Sequence, residues 1–278
     1  MTDIRTVAET HSTNDDVAAL AREGAPEGLW LRAERQTGGR GRQGRGWHSP
    51  EGNLYASTLV RMREADPPAP TLALVAAVAL HEIVTLFRHP GESRGPRPPN
   101  SENSLSPVSL GPGFRRNDEV RIKWPNDLVS CSPAKAGVQE GAGPRLSPGN
   151  EWAKLAGILL ERSGEAVVIG FGVNLAHHPE HLDRPATSLH ALAGSAPDPG
   201  LFLETLAETF ARWLSRWRSE ALAPIRAAWL AAAHPPGTAL ATSEGEGLFD
   251  GLDPSGAFRL RLADGTVRVI HAGDVFLI

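Results

Sequence analysis

The sequence predicts an α+β protein in which a larger domain of helices and strands is followed by a small β-barrel. Apolar residues recur at three- and four-residue spacings between Leu201 and Ser219, which is typical of an amphipathic helix. Between Leu54 and Val60 the pattern alternates, which indicates a half-buried strand. From Gly237 onward the period is two, and turn-forming residues separate short apolar runs. We therefore expect one domain over residues 1–235 and a barrel over residues 236–278.

The predicted helices and strands follow one another regularly except in two places. Ser12 and the acidic residues after it are typical of a helix start, because a hydroxyl can accept hydrogen bonds from free backbone N–H groups. Residues 88–119 and 130–150 are rich in Pro, Gly and Ser without periodicity, which indicates two surface insertions. The other predicted elements are strands over 28–35, 54–60, 120–124, 154–161 and 166–174, helices over 71–87, 201–219 and 224–233, and barrel strands over 238–242, 247–252, 257–262 and 266–270.

The composition excludes several classes of protein. Of 278 residues, 41% are apolar and 22% are charged, as in an ordinary globular protein. The formal net charge of −4 argues against a general nucleic-acid binder. Cys131 is the single cysteine, which excludes an internal disulfide and a cysteine-based zinc cluster. The N-terminus carries no secretory signal, and the apolar run from Leu72 to Leu80 is too short to cross a bilayer, so we expect a cytoplasmic protein without a membrane segment.

The loop between Gln36 and Trp47 alternates arginines with glycines. Arg40, Arg42 and Arg45 supply planar donors for a carboxylate or a phosphate, and the glycines let the backbone approach a ligand closely. This pattern favours an anion-binding loop, which we call the arginine–glycine loop. On spacing alone, a solvated linker and an RNA-binding tract remain open.

Three further motifs place polar residues at strand ends. In Lys123-Trp-Pro-Asn-Asp127, a proline turn displays Asn126 and Asp127, either to a ligand or as caps of the turn itself. Lys154 opens an apolar strand, where a lysine either protects a sheet edge or binds a phosphate. The glycines of Gly170-Phe-Gly-Val-Asn174 allow a ligand to approach the strand, although a bulge or tight packing would require them equally.

Taken in order along the chain, these motifs resemble those of the biotin protein ligase family. The resemblance covers essentially the whole chain except the two insertions. It implies a mixed-sheet catalytic domain of the biotin/lipoate ligase type and a C-terminal SH3-like barrel. The stretches that carry it are Ser12-Thr-Asn14, the Gly39-Arg-Gly-Arg-Gln-Gly-Arg45 loop, Ser49-Pro-Glu-Gly-Asn-Leu54, Lys123-Trp-Pro-Asn-Asp127, Lys154-Leu-Ala-Gly-Ile-Leu-Leu-Glu161, Gly170-Phe-Gly-Val-Asn-Leu175 and Ala186-Thr-Ser-Leu189.

The resemblance implies a ligase that forms a C–N bond. The family couples biotin to ATP, which gives biotinyl-5′-adenylate and pyrophosphate, and then transfers the biotinyl group to a lysine of a biotin carboxyl carrier domain. ATP and biotin would be substrates and Mg²⁺ an activator, with no tightly bound cofactor. The biotin side would be formed by Ser12, Thr13, Asn14, Gln36, Arg40, Gly41, Arg42 and Lys154. The nucleotide side would be formed by Arg42, Arg45, Trp47, Lys123, Asn126 and Asn174.

Arg42, Lys154 and Asp127 are the residues that the resemblance implies for the chemistry. The two cations would offset the repulsion between the biotin carboxylate and the α-phosphate. Asp127 would orient the carrier lysine or accept its proton, with a weaker role near Mg²⁺ that is bound through phosphates. The insertion over 130–150 separates Asp127 from Lys154 and would weaken activity if it folded into the cleft.

Alternative functions and the partners also follow from these motifs. A lipoate or octanoate ligase or transferase of related fold is one alternative, and an RNA-binding module built on the arginine–glycine loop is another. Family members that also repress transcription carry an N-terminal helix-turn-helix domain, for which the residues before Ser12 leave no room, so we expect no DNA binding. The expected protein partner is the biotin carboxyl carrier domain of acetyl-CoA carboxylase or a related carboxylase, and the expected assembly is a monomer or a homodimer.

Overall fold

The computed structural model describes residues 3–88, 119–132, 151–180 and 185–278. Within these residues the larger sheet has seven strands and is mixed, because its first pair is parallel and its other pairs are antiparallel. Its strands in chain order are β1 (Asp3–Thr10), β2 (Leu29–Gln36), β3 (Leu54–Arg61), β4 (Glu119–Lys123), β5 (Asp127–Ser132), β6 (Glu151–Ser163) and β7 (Ala166–Val173). Across the sheet the order is β1-β2-β3-β7-β6-β5-β4.

A second, antiparallel sheet of five strands lies at the C-terminal end of the chain. Across this sheet the order is β11-β10-β9-β8-β12. The expected α+β fold, with a mixed sheet followed by a small β unit, is confirmed. The strands are β8 (Ala239–Thr242), β9 (Gly245–Leu252), β10 (Phe258–Arg261), β11 (Val267–Ile270) and β12 (Val275–Leu277).

Helices cover both faces of the larger sheet. They are α1 (Thr13–Arg22), α2 (Leu72–Arg88), α3 (Leu189–Ala193), α4 (Pro199–Glu220) and α5 (Ala223–Ala232). One face packs against α2 and α4, with Trp30, Phe171 and Phe210 in ring contact at 5.5–6.1 Å between centroids. The other face packs against α1 through a separate apolar cluster that includes Val17 and Val168. Because side chains alternate along a strand, neighbours of these core residues face the α1 side of the sheet.

Helix α2 is apolar enough to resemble a membrane span. Together with the turn before it, the segment Ala69–Arg88 is long and apolar enough to cross a membrane, but 61% of its most apolar stretch is buried inside the protein. The helix extends well past the apolar run that the sequence pattern marks as too short. Burial against α4, rather than length, identifies it as a core helix.

The sequence pattern does not predict strands β1, β5 and β12 or helix α3. Strand β1 lies at the sheet edge and is largely exposed, so it lacks an alternating signal. Helix α3 and strand β12 are too short for a clear period. The predicted insertions over 88–119 and 130–150 are wrong at three of their ends. Arg88 belongs to α2, Glu119 begins β4, and residues 130–132 complete β5 by pairing with β6. The rest of the second insertion and residues 89–118 lie outside the described residues.

The two sheets meet through aromatic contacts. Trp124, just after β4, packs on Phe258 of β10 with 5.4 Å between ring centroids. His234, just after α5, is 4% exposed and meets Trp152 edge-on at 4.5 Å. Neither ring nitrogen of His234 has a hydrogen-bond partner within the described part of the chain. Burial lowers the pKa of His234 to about 4, and the positive charges of Arg121 and Lys123 act in the same direction.

We expect this buried imidazole to make the fold sensitive to acid. The unfolded chain protonates His234 near pH 6.5 and the folded chain near pH 4, so the free energy of unfolding falls as the pH falls between these values. The contribution is at most about 3 kcal/mol. His234→Phe should remove it and raise stability at neutral pH by about 1 kcal/mol, because no unpaired polar group stays buried.

Urea unfolding at pH 7 and pH 4.5 measures this effect. The matched control is His271→Phe, since His271 is an exposed histidine of the C-terminal sheet. The control should keep the wild-type loss of stability in acid. Equal losses in wild type and His234→Phe would contradict the assignment.

Candidate functional site

The start of helix α1 organises one side of the candidate site. Ser12 caps the helix, its Oγ accepting a hydrogen bond from the Asp15 backbone N–H at 3.4 Å. The backbone N–H of Thr13 donates to Gln36 Oε1 at 2.9 Å, and its hydroxyl lies 2.7 Å from Ser57 Oγ. Of the residues expected on the biotin side, Thr13 and Gln36 are therefore in direct contact, whereas the Ser12 hydroxyl serves the helix.

Asn14 continues the same polar network across the sheet. Its Oδ1 accepts from Ser57 Oγ at 2.6 Å, and its Nδ2 donates to Glu161 Oε2 at 2.7 Å. Asn14 is 5% exposed, and its amide lies against the bare backbone of Gly170. A Cβ atom at Gly170 would overlap Asn14 Oδ1, so this position of the strand requires glycine.

Trp47 lies on a floor of two glycines. A Cβ atom at Gly172 would come within 2.7 Å of the indole Cε2, and one at Gly157 within 3.2 Å of Cζ3. The indole N–H is buried and has no hydrogen-bond partner within the described residues. Lys154 Nζ lies 5.4 Å from the ring centroid. Trp47, expected on the nucleotide side, thus covers Gly157 of β6 and Gly172 of β7 beside Lys154.

A β-bulge aims Lys154 into the site. The pairing of β5 with β6 shifts by one residue, so that Val129 pairs with Lys154 and Leu128 with Ala156. Leu155 and Ala156 both enter the core as a result. Without the extra residue, Lys154 and Gly157 would point to opposite faces, whereas a Cβ at Gly157 would lie 3.2 Å from Lys154 Nζ. Both backbone groups of Lys154 are fixed, the N–H by Pro185 and the C=O by Thr187.

Asp127 lies between two lysines. Its Oδ1 is 2.8 Å from Lys154 Nζ, and its Oδ2 is 3.4 Å from Lys123 Nζ. Asn126, the preceding residue, is 7% exposed and donates from Nδ2 to the carbonyl of Ile158. This hydrogen bond attaches the turn before β5 to strand β6. The turn and the strand end before it therefore bring together three of the expected polar side chains, those of Lys123, Asn126 and Asp127.

The three arginines of the arginine–glycine loop point in two directions. Arg40 makes a bidentate pair with Asp15 at 2.8 and 2.6 Å, and these hydrogen bonds lower the pKa of the Asp15 carboxyl. Arg42 donates to Asn126 Oδ1 at 3.4 Å and to the carbonyl of Gly273 at 3.1 Å. Arg45 points the same way as Arg42 and pairs with Asp274 at 2.7 Å. Gly41 closes the loop, its N–H donating to the carbonyl of Arg45 at 2.7 Å.

Arg42 and Lys154 meet at the turn that contains Asn126 and Asp127. Arg42 contacts the first of these residues and Lys154 the second. The guanidinium and the ammonium come from segments more than 100 residues apart, yet both lie beside the same turn. With Lys123 nearby, this arrangement can hold a ligand that carries several negative charges.

Asn174 has a structural role, and no cluster of metal-ligating side chains lies among the described residues. Asn174 is 3% exposed, and its Nδ2 donates to the carbonyl of Thr187 at 3.0 Å, which fastens the end of β7 to the following loop. No group of three or more metal-ligating side chains occurs among residues 3–88, 119–132, 151–180 and 185–278. Both oxygens of Asp127 face ammonium groups, which disfavours direct coordination of a metal there.

Several residues of the site were not identified from the sequence. Ser57 and Glu161 complete the Asn14 network, and Asp15 binds Arg40. A polar residue within an otherwise apolar strand is a usable signal for Ser57, which is fully buried, because burial of a polar group requires a partner. Asp274, which contacts Arg42 and Arg45, lies 229 residues after Arg45, and no local pattern identifies it.

Known proteins are similar to this chain over nearly its whole length. Residues 8–174 match the biotin/lipoate A/B protein ligase family, and residues 242–278 match the biotin protein ligase C-terminal domain. A biotin–[acetyl-CoA-carboxylase] ligase from Paracoccus denitrificans is 36% identical over 97% of this chain and 98% of its own length. A bifunctional ligase/repressor from Bacillus subtilis is 27% identical, over 96% of this chain and 71% of its own length.

A solved structure shares the fold over the whole chain. The biotin protein ligase from Aquifex aeolicus, in complex with biotin and ATP, superposes with a TM-score of 0.72. It is 23% identical and covers 100% of this chain and 99% of its own. At this identity the likeness concerns the fold alone.

Proposed function

The chain belongs to the biotin/lipoate A/B protein ligase family, and from this premise we propose that it activates biotin with ATP and transfers the biotinyl group to a carrier lysine. The observation that carries the proposal is the convergence of Arg42, Lys123 and Lys154 around Asn126 and Asp127. A reaction between two anions needs such a cluster, because positive charge must offset their repulsion as they approach.

In the first step a carboxylate oxygen of biotin attacks the α-phosphorus of ATP. The new P–O bond forms as the bond to pyrophosphate breaks, and biotinyl-5′-adenylate remains. We assign Lys154 to the biotin carboxylate and the α-phosphate, and Arg42 to the opposite side of the same group. Catalysis then consists of positioning and charge stabilisation, without a covalent intermediate on the protein.

In the second step the carrier lysine attacks the acyl carbon of the adenylate. The amide bond forms, AMP leaves, and the attacking nitrogen loses a proton. Asp127 is the candidate to orient that amine or accept its proton. Its carboxylate lies between two ammonium groups in the apo protein, so it already binds a group of the kind that the carrier lysine presents.

The other site assignments rest on the same contacts. Thr13, Asn14, Gln36, Arg40 and Gly41 form the proposed biotin side, and Arg45, Trp47, Lys123 and Asn126 the proposed nucleotide side. Ser12 would act through helix α1, which it caps, and Asn174 would act through the end of β7, which it fastens to the following loop. Mg²⁺ would arrive with the phosphates of ATP and neutralise part of their charge, since the described residues offer it no carboxylate cluster.

The alternatives are less well supported. The family description covers lipoate as well as biotin, but the C-terminal match and the Paracoccus relative favour biotin. A thermal-shift comparison of biotin with lipoate distinguishes the two. The RNA-binding alternative predicts free arginines in the loop, whereas Arg40, Arg42 and Arg45 each pair with a carboxylate of this chain.

The domain bounds, the protein partner, the location in the cell and the assembly are also proposals. We propose a catalytic domain over residues 1–235 and a barrel over residues 236–278. The partner would be the biotin carboxyl carrier domain of acetyl-CoA carboxylase or a related carboxylase. We expect a cytoplasmic monomer or homodimer that does not bind DNA.

Exchange of labelled pyrophosphate into ATP tests the first step. Exchange should depend on added biotin, and lipoate or octanoate should not replace it. Adding a biotin carboxyl carrier domain should then give a labelled carrier. If exchange does not respond to biotin, the proposed function is wrong.

Arg42→Gly should mainly weaken retention of the adenylate. The side chain reaches the turn and the C-terminal sheet from an otherwise exposed loop, so its loss should speed release of biotinyl-adenylate by about tenfold. Release can be followed by rapid filtration of the preformed complex. Gln43→Gly is the matched control, since that exposed side chain contacts only Arg45 among the described residues. Unchanged release from Arg42→Gly would remove Arg42 from the site.

A further inference from the structure

A carboxylate of the C-terminal sheet binds the arginine–glycine loop. Asp274 Oδ2 lies 2.7 Å from Arg45 Nη2, and its Oδ1 lies 3.4 Å from Arg42 Nη1. The neighbouring carbonyl of Gly273 accepts a further hydrogen bond from Arg42 at 3.1 Å. Two adjacent residues just before β12 thus bind two arginines of a loop that belongs to the other sheet.

The contact is more than a pair of exposed charges. The side chain of Asp274 is 18% exposed, and that of Arg42 is 29% exposed. Burial alone would raise the pKa of Asp274, but the hydrogen bond from Arg45 and the charges of Arg42, Arg45 and Lys123 lower it. The carboxylate therefore stays ionised in a half-buried place where three cations surround it.

At its tip, residues 41–46, the loop has few other contacts to hold it, whereas Arg40 and Trp47 fix its two ends. Gln43, Gly44, Arg45 and Gly46 are exposed, and the segment Arg42–Gly44 contains no buried residue. Its hydrogen bonds within the backbone join the loop to itself, from Gly41 to Arg45 and from Trp47 to Gly39. Without apolar burial, the position of the loop tip depends on polar contacts to other elements.

We propose that Asp274 is a positioning residue that holds the arginine–glycine loop closed over the site, so that the C-terminal sheet controls how long the adenylate is retained. The retention part rests on the proposed function, whereas the closure of the loop does not. Asp274 touches no reacting atom and acts through Arg42 and Arg45. The C-terminal sheet would then contribute a residue that positions the site.

Hydrogen exchange of the apo protein tests loop closure directly. Asp274→Asn removes the charge with little change of shape, and peptides that cover residues 38–47 should exchange about fivefold faster at Gly41 and Trp47. Asp274→Glu, which keeps the carboxylate, should restore most of the protection. High salt should reduce the difference between wild type and Asp274→Asn, since the contact is ionic.

Asp250→Asn is the matched control for these measurements. It breaks a pair with Arg259 of 2.6 Å in the same sheet, and the Asp250 side chain is 25% exposed, but neither residue touches the loop. Loop exchange should stay at the wild-type rate in this variant. A similar increase in both variants would mean that the sheet is generally loosened and would overturn the proposal.

Release of preformed biotinyl-adenylate tests the consequence for function. Asp274→Asn should release it about fivefold faster, with wild-type thermal stability, and Asp274→Glu should release it at close to the wild-type rate. A lower KM for ATP with unchanged release would mean that Asp274 merely competes with phosphate for the arginines, which would overturn the proposal. If no adenylate forms in the wild type, the proposed function fails, while the exchange experiment still decides whether Asp274 closes the loop.

Discussion

Lys154→Ala should lower the rate of adenylate formation by about 10²- to 10³-fold, the effect of removing one preorganised donor from a developing charge. The ammonium lies beside Gly157, 2.8 Å from Asp127 and 5.4 Å from the centroid of the Trp47 ring. Its removal leaves the two reacting anions without a cation on that side. Biotin-dependent pyrophosphate exchange measures the loss.

The fold should tolerate this change. The backbone of Lys154 keeps its hydrogen bonds to Pro185 and Thr187, and the side chain is 38% exposed, so unfolding should shift by less than about 1 kcal/mol. Arg162→Ala is the matched control on the same strand, because that exposed side chain bonds only its own turn at Gly164 among the described residues. Exchange at the wild-type rate in Lys154→Ala would contradict the charge-stabilisation mechanism.

Gly170→Ala should weaken biotin binding by about 10- to 100-fold. The added methyl group would overlap the side-chain amide of Asn14, whose place between Ser57 and Glu161 leaves it nowhere to move without losing a hydrogen bond. The backbone of Gly170 is not in the left-handed region, so the effect is steric rather than conformational. Titration calorimetry with biotin at low temperature measures the affinity of the folded protein.

Two further variants separate binding from folding. Gly46→Ala adds the same methyl group where nothing lies within 4 Å, and it should leave the affinity for biotin unchanged. Combining Gly170→Ala with Asn14→Ala removes the clash and should recover thermal stability but not affinity. Wild-type affinity in Gly170→Ala would mean that Asn14 and its network lie outside the biotin site.

The sequence predicts the site's motifs better than their arrangement. Glycine–arginine alternation and the polar strand ends mark Arg42, Asp127 and Lys154 as candidates, but only the resemblance to a known family assigns the three to one site. The contact of Arg42 with Asn126 joins segments 84 residues apart, and spacing alone does not predict such a contact. The same holds for Asp274, whose partner is set by how the two sheets pack rather than by its neighbours in the chain.

The fold was predicted to a similar extent. Helix α4 is long and strongly periodic, so its existence follows from apolar spacing, whereas α2 follows from a long apolar run after Pro70. Strand β1 does not follow, because an exposed edge strand carries no alternation. Strand β5 begins at Asp127, immediately after a turn, and the pairing that extends it to residue 132 involves β6, which lies beyond the insertion.

The extra residue at Leu155 makes the direction of the Lys154 side chain independent of the length of the connection before β6. Side-chain direction along a strand depends on counting residues, so an indel upstream would ordinarily swing Lys154 to the wrong side. Here the β-bulge resets the alternation of side chains. Hydrogen bonds to Pro185 and Thr187, from a different stretch of the chain, fix the backbone of Lys154. We therefore expect a change in the number of residues between 132 and 151 to leave the Lys154 ammonium in place.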